Sequence, residues 1–192
     1  MNPTCCPKFV WAALALCLCL TGCHHGLTPA TQQSLTTQPT EQLIPLKTVD
    51  ATVTPPPGWT PEPLKQDEKH RHQIWLSPSG HTAYGVIYMA LPLPAAFIPG
   101  GAETVLEEGF LPNMKKTEGK ATLIGEVTDD PKRGGIRFVA EGGFYLVRAF
   151  LVLEGMHAWA VYAGTERSAP VNDNELKLAE QARERTVLGL HH

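Results

Sequence analysis

Alternating side chains in the middle of the chain predict a β-hairpin. Between positions 83 and 89, the bulky residues Tyr84, Val86 and Tyr88 alternate with a second set of residues, which is the period of two expected in a strand. The turn-forming sequence "SPSG" at 77–80 precedes this run and follows another β-rich run. We therefore predict two strands, at about 72–77 and 81–90, joined by a turn.

Four further β-rich runs lie in the second half of the chain. The first three cover about 121–128, 135–141 and 144–153, and the fourth begins at Met156. Only the dipeptide "EG" separates the third run from the fourth, which is a tight hairpin signal. Together with the first hairpin, these runs predict an antiparallel sheet of about six strands.

A helical stretch lies between the two groups of strands. After a "PGG" break, Leu106, Phe110 and Met114 recur at every fourth position and form one apolar stripe. Gly109 and Pro112 predict a kink or two short helices instead of one straight helix. The stripe is more typical of a hydrophobic core than of a cofactor site.

A second helix is predicted near the C-terminus. It opens with the capping residues Asn172, Asp173 and Asn174. The apolar residues that follow gather on one arc of this helix, and they are Leu176, Ala179, Ala182, Val187 and Leu190. Strands in hairpins, with one helical region between them and another at the end, predict an α+β domain in which helices flank the sheet.

The order of these segments resembles the Mog1/PsbP-like fold. The matching stretches are "PPPGW" at 55–59, the hairpin around "SPSG", the helix that ends in "MKKTEGKATLIGE", and "FYLVRAFLVLEGMHAWAVYAGT" before the last helix. This group includes the PsbP family of photosystem II and several bacterial lipoproteins. The resemblance implies an α/β/α sandwich over about residues 52–190. It implies a binding or assembly role, and it carries over no catalytic residues.

The N-terminus has the parts of a lipoprotein signal peptide. A single lysine is the only charge in the first 22 residues, and the apolar run "FVWAALALCLCL" that follows it is shorter than the roughly 20 residues of a membrane span. The run ends in "LTGC", which resembles the lipobox of bacterial lipoproteins. We predict a signal peptide at 1–22 and lipidation of Cys23. The predicted signal-peptidase recognition residues are Leu20, Thr21 and Gly22.

The positions of the cysteines limit the chemistry of the mature chain. All five cysteines lie within the first 23 residues. Cleavage before Cys23 would remove four of them, and acylation would block Cys23 while anchoring the protein durably to a membrane. The mature chain would then have no free thiol, which excludes a cysteine nucleophile, a thiolate metal site and a structural disulfide.

Residues 23–51 are predicted to form a lipidated N-terminus and a flexible tether that precedes a single domain at 52–192. The stretch is rich in Thr, Gln and Pro and offers little apolar surface to bury. His24 and His25 lie at its membrane end, where a solvated pair is more plausible than a metal site.

The charge distribution argues against a nucleic-acid partner. The formal net charge is −3, and the basic residues are scattered. The densest basic pairs, at 115–116 and 132–133, do not form the basic stripe that phosphate neutralisation needs.

The sequence "KHRH" places His70 and His72 on one side of an extended chain. If the hairpin pairs Leu76 with His81, then His81 lies about 13 Å from His72, which is too far for the two to share a metal ion. We therefore predict a solvent-facing polar run in which His70 and His72 do not hold a metal.

The other candidates for chemistry have ordinary structural explanations. Asp129-Asp130 before a proline predicts a turn, and Glu107-Glu108 predicts a helix surface. The remaining candidates lack the motif that their chemistry requires, and they are Ser77, Ser79, Ser168, Gly119-Lys120 and the sequence "NDNE". No catalytic site, metal site or cofactor is predicted.

Two hypotheses for the function follow. The first is a lipid-anchored cell-envelope protein, in the bacterial cell membrane or outer membrane with its domain on the extracytoplasmic side, that binds a protein partner or assists assembly. The alternative is a carrier or scavenger that holds a small ligand in an apolar cleft between the sheet and the helix of Leu106, Phe110 and Met114. An enzyme is not expected.

Overall fold

A large antiparallel sheet forms the centre of the fold. The computed structural model describes residues 43–189. The strands of this part are β1 (Ile44–Leu46), β2 (Ala51–Val53), β3 (Thr60–Pro61), β4 (Lys65–Gln66), β5 (His70–Leu76), β6 (Thr82–Ala90), β7 (Ala121–Leu123), β8 (Thr128–Asp130), β9 (Gly135–Gly142), β10 (Tyr145–Glu154), β11 (His157–Glu166) and β12 (Val187–Leu188). The helices are α1 (Gly101–Val105), α2 (Leu111–Glu118) and α3 (Asp173–Arg185), with a 3-10 turn at Ala95–Phe97 and a π-helical segment at Leu106–Phe110.

Nine strands form the large sheet, in the order β3-β5-β6-β11-β10-β9-β7, with β4 also on the edge of β5 and β8 also on the edge of β9. Strands β1, β2 and β12 form a second, small sheet. The predicted α+β class with an antiparallel sheet is confirmed. The expected number of about six strands is too low, because the two-residue strands β3 and β4 were not predicted and because the run expected at about 121–128 contains β7 and the start of β8 instead of one strand.

The first hairpin is confirmed, but its register differs from the expected one. Leu76 pairs with Ala83 and not with His81. The amide of Ser77 donates to the carbonyl of Thr82 at 2.9 Å, and this bond closes the strand ladder. His81 therefore lies in the turn, where its Nδ1 is 2.6 Å from a carboxylate oxygen of Glu166.

Each face of the large sheet packs against its own set of helices. On one face, the segment from α1 to α2 covers β9 and β10, and the core there includes Phe110, Phe138 and Leu151. On the other face, α3 lies over β6 and β11, above a core that includes Tyr84 and Val161. The alternation along each strand sends neighbouring side chains to opposite cores. Helices therefore flank both faces of the sheet.

The helical region between the strands contains a π-helical segment where the sequence predicts a break. Leu106, Phe110 and Met114 are all buried, so the apolar stripe is core as predicted. The amide of Leu111 donates to the carbonyl of Leu106, five residues earlier, and this wider turn is the π-helical segment. Pro112 follows at the start of α2, where its missing amide does not interrupt a hydrogen-bond ladder. The region is therefore two short helices joined by a π-helical segment.

Both ends of the domain differ from the prediction. The fold includes residues before the expected start at 52, because β1 pairs with β2 and Val49 is fully buried. The Trp159 indole also donates to the carbonyl of Val49 at 3.1 Å. Residues 44–51, which the prediction assigns to the tether, therefore belong to the folded part. Helix α3 ends at Arg185, so Val187 lies in β12 and is 60% exposed instead of joining the helix arc. Leu190 lies outside the described residues.

Asn172 caps α3 as predicted. Its side-chain carbonyl accepts a hydrogen bond from the amide of Glu175 at 3.3 Å. Ala179 and Ala182 face the core from this helix. No helix within residues 43–189 is both long enough and apolar enough to cross a membrane.

Candidate functional site

A cleft opens on the face of the large sheet that α1 and α2 cover only in part. These helices contact mainly β7, β9 and β10, and no helix within residues 43–189 covers the β5–β6 half of the same face. The resulting cleft has a volume of about 560 Å³. This volume is in the range of small-molecule sites, about 300–1,000 Å³. It lies between the sheet and the helix that carries Phe110 and Met114, where the small-ligand hypothesis places it.

Small residues on the central strands make room for the cleft. Ala83 lines it from β6 and Gly164 lines it from β11. Gly85 pairs with Tyr162 across these strands, and the tyrosine ring lies directly over the glycine. A Cβ atom added to Gly85 would be only 2.4 Å from the ring, so this position accepts no side chain while Tyr162 keeps its place.

His72 and Tyr162 form a hydrogen-bonded pair on the floor of the cleft. The Nε2 atom of His72 lies 2.7 Å from the Tyr162 hydroxyl, and both residues line the cleft. Burial, assisted by the positive charge of Lys65, lowers the pKa of His72 to about 4. Burial also raises the pKa of Tyr162 above its usual value. Near neutral pH the pair is therefore uncharged, which suits an otherwise apolar floor.

Apolar side chains form most of the cleft wall. From the sheet these are Ile74, Leu76, Ile87, Met89 and Val147, and from the helical side they are Phe110 and Met114. Phe144 lines the cleft from the β9–β10 turn and is 62% exposed. Such a surface binds the apolar part of a ligand by removing it from water.

Polar residues are concentrated at the rim of the cleft. Glu62 directly follows β3 and Asp67 directly follows β4, while Glu118 is the last residue of α2. Lys65 lies 3.6 Å from a carboxylate oxygen of Glu62. Asp67 accepts hydrogen bonds from two backbone amides and from His70, and the backbone bonds lower its pKa.

Glu118 is fixed by the turn that follows β9. One of its carboxylate oxygens accepts hydrogen bonds from the amides of Phe144 and Tyr145, each at 3.2 Å. Gly142 and Gly143 lie so close to Glu118 that a Cβ on either would overlap it. The sequence "EGGF" therefore allows the hairpin turn to pack directly against the end of α2.

The prediction of a solvent-facing histidine run is wrong for His72. This residue points into the cleft because β5 alternates, with His70, His72 and Ile74 on the cleft side and Trp75 in the opposite core. The side chain of His70 is 43% exposed and bonded to Asp67 at the rim. Within residues 43–189, no group of three or more His, Cys, Asp or Glu is arranged to hold a metal ion.

The predicted lipidation residue Cys23 lies outside the described residues, as do Leu20, Thr21 and Gly22. Among the other candidates, Lys120 is 2.6 Å from Glu141 in an ion pair, and Ser168 donates to Glu166 on the surface. Glu107 and Glu108 are exposed, as predicted. These residues contribute surface contacts and do not converge on the cleft.

Asp130 is placed differently from the prediction, which put it in a turn. It ends β8 and is buried, and one of its carboxylate oxygens contacts both Arg133, at 2.8 Å, and Arg137, at 3.1 Å. Both arginines also bind Glu184 of α3. We call Asp130, Arg133, Arg137 and Glu184 the α3 ion cluster. Hydrogen bonds from Arg137 are the main reason that the pKa of Glu184 is lowered to about 2.

Sequence reasoning did not single out Tyr162, Glu62 or Glu118 as site residues. Tyr162 is 90 positions from His72 in the chain, and only the strand order brings the two together. The one sequence signal is the glycine opposite Tyr162, since a glycine within a strand often marks a close approach.

Comparisons with known proteins assign no family to the chain. No protein-family model matches it, and no curated protein matches it. A crystal structure of a protein from Bacteroides thetaiotaomicron is similar over 78% of this chain and 49% of that chain, with 11% sequence identity and a TM-score of 0.36. The chain thus spans about half the length of that protein, and similarity at this level assigns neither a fold family nor a function.

Proposed function

We propose that this protein is a lipid-anchored extracytoplasmic protein that binds a small, largely apolar ligand in the cleft beside α2. The observation that carries this proposal is the cleft itself, about 560 Å³ in volume, with apolar walls and a polar rim. Small residues of β6 and β11 leave space above the sheet, and this space forms part of the cleft.

The N-terminal sequence supports the proposed location. Residues 1–22 have the charge, apolar run and "LTGC" end of a lipoprotein signal peptide, and Cys23 would carry the anchor. The resemblance of residues 52–190 to the Mog1/PsbP-like group agrees with a binding role. A tethered domain with a cleft suits the capture of a ligand close to a membrane.

Titration with the neutral indole alcohol tryptophol tests the binding function. We expect saturable shifts in the NMR signals of methyl groups that line the cleft, namely those of Ile74, Ile87, Met89 and Met114. The methyl groups of Val86 and Val161, in the opposite core, should not move. Shifts that never saturate, or that occur equally on both faces, would contradict the proposal.

A matched pair of helix variants identifies the cleft as the binding site. Asn113 is exposed and lines the mouth, so Asn113→Trp should cover the cleft and weaken tryptophol binding by about tenfold or more. Lys116 is exposed on the same helix and does not line the cleft, so Lys116→Trp should bind as the unchanged protein does. Equal affinity in both variants would place the ligand elsewhere.

A second candidate function is the docking of an envelope protein. The observation that favours it is exposed apolar surface at another part of the sheet, where Leu93, Phe97 and Met156 are 54%, 73% and 41% exposed. Their two loops are joined by the amide of Ala95, which donates to the carbonyl of Gly155 at 2.7 Å. A photo-crosslinker at Phe97 should then capture one envelope protein in cells, and a crosslinker at exposed Glu108 should not.

A further inference from the structure

We propose that the ligand of the cleft is a hydrophobic organic cation, namely an amine or quaternary ammonium group attached to an apolar or aromatic body. This inference rests on the proposed ligand-binding function and adds the charge of the ligand to it. Two observations support it: the carboxylates that line the cleft and the aromatic rings that lie among them.

The charged groups that line the cleft are mainly acidic. Three carboxylates line it, from Glu62, Asp67 and Glu118, and they are opposed by a single lysine, Lys65. The lining contains no arginine among the described residues. His72 adds no positive charge near neutral pH, because its pKa is lowered to about 4. The cleft is therefore electronegative, which favours a cationic ligand over an anionic one.

The carboxylates differ in how strongly their charge acts on the tyrosines of the cleft. Glu62 and Glu118 both raise the pKa values of Tyr145 and Tyr162, in addition to the larger effect of burial. Their negative charge is thus felt inside the cleft as well as at its mouth. Asp67, in contrast, is bonded to His70, and its side chain is 66% exposed, against 19% for Glu62. Glu62 and Glu118 are therefore the groups expected to select the charge of the ligand.

The single lysine only partly offsets this charge. The Lys65 side chain is 68% exposed, and its Nζ lies 3.6 Å from a carboxylate oxygen of Glu62. A solvated ammonium group attracts a bound anion weakly. A fatty acid or another carboxylate ligand would face Glu62 and Glu118 without a buried cation to receive it, so this class of ligand is disfavoured.

Aromatic rings complete the arrangement. Phe110, Phe144, Tyr145 and Tyr162 all line the cleft. The face of an aromatic ring attracts a cation, and it does so more strongly away from water. The same rings provide apolar contact for the body of the ligand. Rings combined with nearby carboxylates are thus complementary to both parts of a hydrophobic cation.

Three indole compounds that differ mainly in charge test the inference. Tryptamine is a cation near neutral pH, tryptophol is neutral, and indoleacetate is an anion. Calorimetric titration at low ionic strength should give the tightest binding for tryptamine and the weakest for indoleacetate, with about a tenfold or larger difference between the two. Added salt should reduce this difference, because ions screen the charges at the rim.

Variants of the rim assign the preference to particular residues. Glu62→Gln and Glu118→Gln should each weaken tryptamine binding several-fold, and each should change tryptophol binding less than tryptamine binding. Lys65→Gln, at an exposed position, should strengthen tryptamine binding. Glu108→Gln is the control, since Glu108 is exposed on the same helical region and does not line the cleft. Saturable tryptophol binding also shows that each variant is folded.

The possible outcomes separate this inference from the proposed function. If tryptophol binds in the cleft but tryptamine binds no more tightly than indoleacetate, the cation proposal is overturned and the binding function stands. If the protein prefers tryptamine over indoleacetate, but Glu62→Gln, Glu118→Gln and Lys65→Gln all leave this preference unchanged, then the rim residues are not its cause. If none of the three compounds binds, both proposals fail.

Discussion

At the scale of single residues, Gly85 controls the shape of the cleft floor. Its φ angle is not positive, so glycine is not needed there for an unusual backbone conformation. The need is for space, because a Cβ would lie 2.4 Å from the ring of Tyr162. That ring in turn holds His72 through the 2.7 Å hydrogen bond. One missing side chain on β6 therefore determines the positions of two residues on the floor.

Gly85→Ala should lower the free energy of unfolding by about 1–3 kcal/mol, because the Tyr162 ring must move out of a packed position. Urea unfolding measures this loss. In a protein that already carries Tyr162→Ala, Gly85→Ala should lower the free energy of unfolding much less, because no ring remains to be displaced. Gly164→Ala is the control, because its Cβ would meet its nearest neighbours at an ordinary 3.8 Å. If Gly85→Ala and Gly164→Ala lowered the free energy of unfolding equally, the Tyr162 ring would not be the cause of the destabilisation.

The site residues illustrate what the sequence can and cannot predict. Alternation along β6 correctly separates Tyr84, Val86 and Tyr88 from the residues that face the cleft. It does not say which of the two faces is left partly uncovered by helices. The environment of His72 depends on Tyr162, whose strand is next to β6 only because of the order of the whole sheet. Local patterns contain no information about this non-local arrangement, so His72 was expected in solvent.

At the scale of secondary-structure elements, the α3 ion cluster joins the β8–β9 turn to the end of α3. Arg133 lies over the ring of Phe150 at 4.3 Å and donates to both Asp130 and Glu184. Arg137 donates to Glu184 through two nitrogens, at 2.8 and 3.0 Å. Charge-assisted bonds with two donor nitrogens fix orientation as well as distance. The cluster therefore holds a turn and a helix that have no strand pairing with each other.

Glu184→Gln should destabilise the protein near neutral pH by about 1–2 kcal/mol, a modest value because the carboxylate is partly exposed and screened. The pKa of Glu184 is about 2 in the folded protein, against an ordinary value of 4.5. Its ionised form thus stabilises the fold above about pH 4.5, and this contribution is lost as the pH falls towards 2. Urea unfolding at a series of pH values should show the variant and the unchanged protein converging in acid.

Glu180 provides the comparison for this prediction. It lies one turn earlier on α3, and its carboxylate is 3.7 Å from Arg148 in a looser ion pair. Glu180→Gln should therefore change the free energy of unfolding less than Glu184→Gln does at neutral pH. A stability difference for Glu184→Gln that is as large near pH 2 as at pH 7 would show that the charge of Glu184 is not responsible.

Long elements were predictable from sequence and short ones were not. Strands β5, β6, β9, β10 and β11 were expected close to their observed bounds, since each is long enough to show alternation. The N-terminal strands were missed because β1 and β2 have three residues each and follow a Thr- and Pro-rich stretch. The hydrogen bond from the Trp159 indole to the carbonyl of Val49 is a tertiary contact, and no local sequence pattern predicts it.

At the scale of the whole molecule, the proposed anchor and the cleft serve one purpose. A lipid on Cys23 would keep the domain at a membrane surface, where hydrophobic ligands are concentrated. The folded part begins no later than β1, so at most about 20 residues would separate the anchor from the domain.

Cys23→Ala tests the anchor, because the thiol of Cys23 is the proposed site of acylation. In bacteria supplied with a labelled fatty acid, the unchanged protein should carry the label and fractionate with membranes. The Cys23→Ala protein should lack the label and migrate as a larger precursor, since its signal peptide would not be removed. Cys19→Ala is the matched control, because that cysteine lies within the predicted signal peptide and its loss should leave labelling unchanged. Labelling that persists in Cys23→Ala, with unchanged mobility, would show that the anchor is elsewhere or absent.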